Sequence, residues 1–324
     1  MTIFTASYAL IYSVLLTLST LSCKLLAVSI ILILTNWLAH NITEVATCLK
    51  NLVLYAISHF IPGHLDFKKL PYGKWCIVTG ATQGIGKAYA EAFAKRGMNL
   101  LIISRSEDKL KAFSQELTKK YKIDATYLAM DFSKSPSTYV SRLRICLNEK
   151  RTDGTTIAES IGVLVNNVGA LPYAYDTLVN DIARRQKENP LENYGDRMQK
   201  NLNTNCLSQM VMTSEIITLM RNKPIPVGNT SGKKGIIISL SSYTCKRPMP
   251  FWVAYTACKA FNFYFSDALA TEISFTTNDL IVQTVAPMEV ATSMAPREKS
   301  GWRAPSADQF VEVCINLIGW SKYR

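Results

Sequence analysis

A tyrosine and a lysine four residues apart, in Tyr255-Thr256-Ala257-Cys258-Lys259, are the residues of this sequence best placed for proton chemistry. On a helix, positions i and i+4 share one face, so the phenol and the ammonium become neighbours. A free tyrosine has a pKa of about 10 and is a poor acid–base group near neutrality. An adjacent ammonium favours the phenolate and is expected to draw that pKa toward the working range. Ser242, thirteen residues before Tyr255, offers a hydroxyl that can bond a substrate carbonyl oxygen beside it. Histidine has no part in this chemistry. The three histidines are His40, His59 and His64, which excludes a Ser-His-Asp or Cys-His nucleophile and an HExxH zinc site from the last 260 residues.

A second constellation is built for phosphate. The stretch Thr79-Gly80-Ala81-Thr82-Gln83-Gly84-Ile85-Gly86 follows a short apolar run and leads into an amphipathic one. Gly80 permits a tight turn, Gly84 lets the backbone approach a pyrophosphate, and Gly86 allows close packing of helix on strand. The helix N-terminus then faces the phosphates. Nineteen residues after Gly86, Ser104-Arg105 stands where a carboxylate would bond the ribose 2′-hydroxyl of NAD. A neutral serine followed by an arginine leaves room and positive charge for a 2′-phosphate, so NADP(H) is the expected cofactor. Asp131-Phe132 could meet the adenine. Asn166-Asn167-Val168-Gly169 would bring backbone near the cofactor, with Asn167 among the contacts.

The elements that must position these groups read as alternating strands and helices. Strands are expected at Trp75–Thr79, Leu100–Ser104, Thr126–Met130, Val163–Asn166, Gly235–Leu240 and Leu280–Val285. Helices are expected at Ile85–Arg96, Glu107–Lys120, Ser137–Leu147, Tyr194–Met220 and Trp252–Phe275. Strands separated by helices imply βαβ units with right-handed crossovers, hence a doubly wound α/β fold of Rossmann type around a parallel sheet. In such sheets ligands sit at the carboxyl ends of the strands.

The 324 residues carry 36 Lys and Arg against 24 Asp and Glu, a net charge of +12, with 48% hydrophobic residues. That composition supports a sizeable core and excludes an acidic disordered tail, a collagen-like fibre and a small disulfide scaffold. Eight cysteines without paired spacing read as reduced thiols in a reducing compartment, with no metal site. Residues 1–43 contain one charged side chain, Lys24, between apolar runs at Ile3–Cys23 and Leu25–Ala39. A bilayer core needs about 20 apolar residues per helix, so residues 1–62 read as an uncleaved membrane anchor with an interfacial segment at Val45–Ile61. Residues 63–74 form a basic juxtamembrane linker with Lys68, Lys69 and Lys74, which favours the cytosolic side for residues 75–324. On that side the sequons at Asn41 and Asn229 would go unused.

Taken in order, TGATQGIG (79–86), NNVG (166–169), Ser242 and YTACK (255–259) resemble the short-chain dehydrogenase/reductases, over about residues 73–320. NNVG, the run at 103–110 and the N-terminal anchor look like the branch holding the microsomal very-long-chain 3-oxoacyl-CoA reductases and the 17β-hydroxysteroid dehydrogenases of types 3 and 12. The resemblance implies that Tyr255 donates the proton, that Lys259 lowers its pKa and holds the nicotinamide ribose, and that Ser242 orients and polarises the substrate carbonyl. It implies that Asn205 anchors a water in the proton relay and that Pro287, Val290 and Thr292 contact the nicotinamide amide. Met288 departs from the glycine usual in the wider family. Relatives continue beyond Arg324 into a last strand, so the domain is expected to be C-terminally short. The helices around 194–220 and 252–275 resemble the family's dimer-forming pair.

The resulting expectation is an enzyme of the endoplasmic reticulum membrane that reduces a lipid ketone with NADPH. A long-chain 3-oxoacyl-CoA in fatty-acid elongation leads, and a 17-ketosteroid is the alternative. No nucleic acid partner is expected, since the positive charge suits NADPH, a CoA moiety and an anionic membrane surface. A catalytically silent, membrane-tethered scaffold is the reading from another class. Loss of Tyr255, Lys259 or Ser242 would have marked it, and all three are present.

Overall fold

The computed structural model describes residues 28–39, 42, 49, 73–171, 177–188, 194–224, 232–247, 249–294 and 304–319. The chain divides into two units, Met1–Ile61 and Pro62–Arg324. In the first, residues 28–39 are helical and expose apolar side chains, Ile31, Leu32, Ile33 and Trp37 among them. Among the described residues no helix is long and apolar enough to cross a membrane. The apolar run Ile3–Cys23 and the interfacial segment Val45–Ile61 lie outside the described residues apart from Leu49.

Among the described residues the second unit holds six strands: β1 (Trp75–Thr79), β2 (Asn99–Ser104), β3 (Ala125–Ala129), β4 (Ile161–Asn166), β5 (Gly235–Leu240) and β6 (Leu280–Val285). All pair in parallel in the order β3-β2-β1-β4-β5-β6. The helices are α1 (Gly84–Lys95), α2 (Glu107–Tyr121), α3 (Val140–Asn148), α4 (Leu178–Glu188), α5 (Tyr194–Leu202), α6 (Ser208–Asn222), α7 (Val253–Phe275) and α8 (Ala307–Asn316). This is the Rossmann-type doubly wound sheet that the alternation of elements implies.

Strands β1, β4 and β5 are buried along their whole length, which is why they read as near-continuous apolar runs. Their side chains still alternate between two cores. Cys76, Val78, Leu100, Ile102, Val163 and Ile238 face α1, α2 and α8, where Tyr89, Phe93, Phe113 and Val311 fill the layer. Ile77, Leu101, Ile103, Leu164 and Ile237 face Leu143, Met212, Ile216 and Met220 of α3 and α6.

The long helix expected at Tyr194–Met220 is broken. A π turn at Asn203–Leu207 separates α5 from α6, and Asn205 and Cys206 are buried within it. Two helices were not anticipated. Helix α4 is polar in composition, and α8 carried a legible start signal: Ser306 accepts from Gln309 N at 3.2 Å while the Gln309 side chain accepts from Ser306 N at 3.1 Å, a reciprocal capping box.

Candidate active site

The strand order reverses between β1 and β4, and a cleft of about 570 Å³ opens at the carboxyl ends of the strands there. Its lining includes Gly80, Thr82, Gly84 and Ile85 from the glycine turn, Ser104 and Arg105 after β2, and Asp131 after β3. Asn167, Tyr255, Lys259, Pro287 and Thr292 line it too. Twelve residues singled out from the sequence thus meet in one cavity.

Gly80 takes φ +67°, a left-handed conformation that a side chain disfavours. Gly86 answers a different demand. A Cβ there would lie 2.3 Å from both Asn167 Nδ2 and the Gly80 carbonyl oxygen. The Asn167 amide donates to the Thr79 carbonyl at 2.9 Å and the Gly80 carbonyl at 3.2 Å, so this side chain laces the β4 turn onto the glycine turn. Thr79, not singled out from the sequence, completes the lacing: its buried hydroxyl accepts from the backbone N–H groups of Asn167 and Val168 at 3.0 and 3.1 Å. The Ser104 and Thr82 hydroxyls pair at 3.0 Å, leaving the exposed Arg105 as the cation of this end of the cleft. Asp131 accepts from Ser133 N at 3.0 Å. Val290 is 6% exposed, is packed in the interior and does not line the cleft.

At the other end, the Ser242 hydroxyl lies within hydrogen-bonding reach of the Tyr255 phenol. Ser242 also accepts from Thr244 N at 3.4 Å, which holds it at the start of a short 3₁₀ turn. Ser241, which the sequence did not single out, donates to the Lys259 carbonyl at 2.6 Å and so ties the end of β5 to α7. Trp252 packs edge-on against Tyr255 at 6.1 Å between centroids.

The Lys259 ammonium donates to the Leu240 carbonyl at 3.0 Å and stands 5.7 Å from the centroid of the Tyr255 ring. Burial pushes the Lys259 pKa down to about 8. Burial also raises the Tyr255 pKa, opposed by its bond to Ser242. Burial is the largest influence on the phenol and raises its pKa above the ordinary value, and Lys259 is not among the groups that shift it.

The Asn205 side chain is fully engaged. It accepts from Ala170 N at 2.9 Å, donates to the Ala170 carbonyl at 3.0 Å and donates to the Asn201 side-chain oxygen. It thereby clamps the loop after β4 to the π turn. A Cβ on Gly169 would stand 3.1 Å from Asn205 Oδ1 and 3.4 Å from Lys259 Nζ, so this loop passes directly over both.

A parallel six-stranded sheet with a glycine turn at its reversal point, Tyr255 and Lys259 in the same cleft, and Ser242 beside the tyrosine define a Rossmann-type α/β protein with an oxidoreductase-like site. The chain belongs to the short chain dehydrogenase family, whose profile matches residues 74–301. The very-long-chain 3-oxoacyl-CoA reductase of Bos taurus is 35% identical over 247 residues, 76% of this chain and 69% of that one. Hydroxysteroid dehydrogenase-like protein 1 of Gallus gallus is 34% identical, covering 83% of this chain and 72% of its own. The inactive hydroxysteroid dehydrogenase-like protein 1 of Homo sapiens is 32% identical, covering 82% and 72%. A short-chain dehydrogenase from Sphingobium yanoikuyae, solved in complex with NADPH, shares the fold with a TM-score of 0.57 at 21% identity, over 75% of this chain and 83% of that one.

Proposed function

We propose that this protein is a membrane-anchored reductase that uses NADPH to reduce a lipid ketone, with a long-chain 3-oxoacyl-CoA as its substrate class. The observation that carries the reading is the Tyr255 phenol, its pKa raised by burial and Ser242 beside it, in the same cleft as Lys259 and Arg105. The likeness to very-long-chain 3-oxoacyl-CoA reductases supports the substrate class.

The cleft fits a nicotinamide dinucleotide. The glycine turn would take the pyrophosphate, Arg105 and Ser104 the 2′-phosphate, and Lys259 and Thr292 the nicotinamide end. That group, when bound, supplies hydride. The chain's own residues supply alignment and a proton. Ser242 would hold the carbonyl oxygen beside the phenol, and Tyr255 would deliver its proton as negative charge develops there. Lys259, on the flank of the Tyr255 ring, would stabilise the phenolate left behind.

In this reading residues 1–62 anchor the protein in the endoplasmic reticulum membrane and residues 63–74 link it to a cytosolic domain. Leu202, Met210 and Phe261, exposed on α5, α6 and α7, suit a homodimer. A silent, membrane-tethered scaffold is the second reading, favoured by the likeness to a protein named inactive.

NADPH oxidation by the detergent-solubilised protein separates them. Turnover of a long-chain 3-oxoacyl-CoA, with NADH slower, is the expected result. Turnover with a 17-ketosteroid alone would replace the substrate class, and silence with both would leave the scaffold.

A further inference from the structure

Two thiols that the Ser242–Tyr255–Lys259 chemistry leaves unused meet beside it. Cys206 lies in the π turn, one residue after Asn205, and Cys258 lies in α7, one residue before Lys259. They are 8% and 2% exposed. The Cys206 sulfur is 3.9 Å from the Cys258 carbonyl oxygen, and the two thiols are within hydrogen-bonding reach, Cys206 toward Cys258. Both line an apolar groove of about 350 Å³ together with Leu202, Leu207, Met210 and Phe261. An oxidant entering the groove meets both residues in its wall.

The environment sets Cys258 apart. Its pKa is lowered, first by the bond from Cys206 and then by the Lys259 charge, although burial opposes both. The other described thiols, Cys76, Cys146, Cys206, Cys245 and Cys314, all shift upward, burial contributing to each. A thiol with thiolate character beside a second thiol is the arrangement that oxidants convert to a disulfide.

We propose that Cys206 and Cys258 form an oxidisable dithiol, closed by peroxide into a disulfide that ties the π turn to α7 and displaces Asn205 and Lys259. The Cys258 thiolate attacks one peroxide oxygen; the O–O bond breaks, and the departing oxygen takes up a proton and leaves as water. The Cys206 sulfur then attacks the resulting sulfenic sulfur, and the S–O bond breaks as the second water departs with the Cys206 proton. Two electrons leave the thiol pair and reduce one peroxide to two waters. A dithiol reductant reverses the bond. The effect on turnover rests on the function proposed above, whereas the cross-link does not.

The test treats dilute full-length protein in detergent with hydrogen peroxide, since self-association through this face would cover the groove. Remaining thiols are blocked and the peptides mapped without reduction, while NADPH binding is followed by fluorescence. The expected result is an intramolecular Cys206–Cys258 peptide pair, weaker NADPH binding, and carbonyl turnover reduced by roughly tenfold or more, all restored by dithiothreitol. Cys206→Ser, or Cys206→Ala if the serine variant fails to fold, should lose both the cross-link and the response while keeping the reduced-state NADPH affinity. Oxidation of Cys146 or Cys245 without that peptide pair would overturn the proposal. So would a pair that forms and leaves NADPH binding unchanged. If the reduced protein turns over no ketone, the functional reading falls while the mapping and the NADPH titration still decide this one.

Discussion

Lys259 and Tyr255 are neighbours without a direct bond: the ammonium sits 5.7 Å from the ring centroid and gives its hydrogen bond to the Leu240 carbonyl, 3.0 Å away. The neighbour that acts on the phenol is Ser242. The helix spacing put the two residues on one face, but β5 decides where the ammonium points, because its last carbonyl is the acceptor that a buried cation requires.

Replacing Tyr255 with Phe removes the phenolic hydroxyl and keeps the ring against Trp252. NADPH binding should persist while ketone reduction falls by about 100-fold or more. Stopped-flow oxidation alongside fluorescence titration measures both. Unchanged turnover would take Tyr255 out of the chemistry.

Arg105 is exposed in the cleft, next to the Ser104–Thr82 hydroxyl pair. Arg105→Asp should weaken NADPH by roughly 10- to 100-fold, the scale of a charge-assisted hydrogen bond, and leave NADH nearly unaffected. Equal losses for the two cofactors, read by parallel titrations, would argue against a phosphate-reading role.

A methyl group at Gly86 would strike Asn167 Nδ2 and the Gly80 carbonyl, each at 2.3 Å. Because one of these is backbone, the site cannot relax freely, and Gly86→Ala should destabilise the domain by about 1–3 kcal/mol. Urea unfolding of the ligand-free protein is the appropriate measurement. A loss of cofactor binding at unchanged stability would instead locate the defect in phosphate contact.

Two lysines, Lys259 buried and Lys223 half-buried, should favour the folded domain increasingly in mild alkali. Burial holds Lys259 and Lys223 at about 8, against an ordinary value of 10.5. Between pH 8 and 10.5 the unfolded chain binds more protons at these two sites than the folded one, so they add stability as pH rises, against the upward-shifted thiols, which subtract it. The contribution is fully present above 10.5 and is lost as pH falls through 8, at most about 3 kcal/mol per lysine. Lys259→Met should flatten part of this rise when unfolding midpoints are compared across the range. Wild type and Lys259→Met whose midpoints keep the same difference from pH 8 to 10 would contradict the assignment.

Much of the fold was legible because the central parallel strands, buried on both faces, must be largely apolar, and the strands at the edge keep apolar runs between turn signals. The runs Trp75–Thr79, Gly235–Leu240 and Leu280–Val285 matched the strands end to end, and the other three differ by one or two residues at their ends. The π turn was not legible. Nothing in Asn203-Thr204-Asn205-Cys206-Leu207 interrupts the helical pattern, and what goes with the break there is a long-range contact, the clamp of Asn205 on Ala170.

The sequence by itself determined which groups are available: a glycine turn after a strand, a cation where a carboxylate would select NAD, and a serine, tyrosine and lysine in a chain whose last 260 residues lack histidine. Only the tertiary structure decided how they act on one another. Asn167 and Asn205 proved to be lacing residues, Val290 an interior one, and the Tyr255 pKa moved up rather than down. The physical reason is desolvation. A pattern in sequence reports which charges are near each other, while the balance between a charge's attraction and its burial depends on how completely the surrounding elements exclude water.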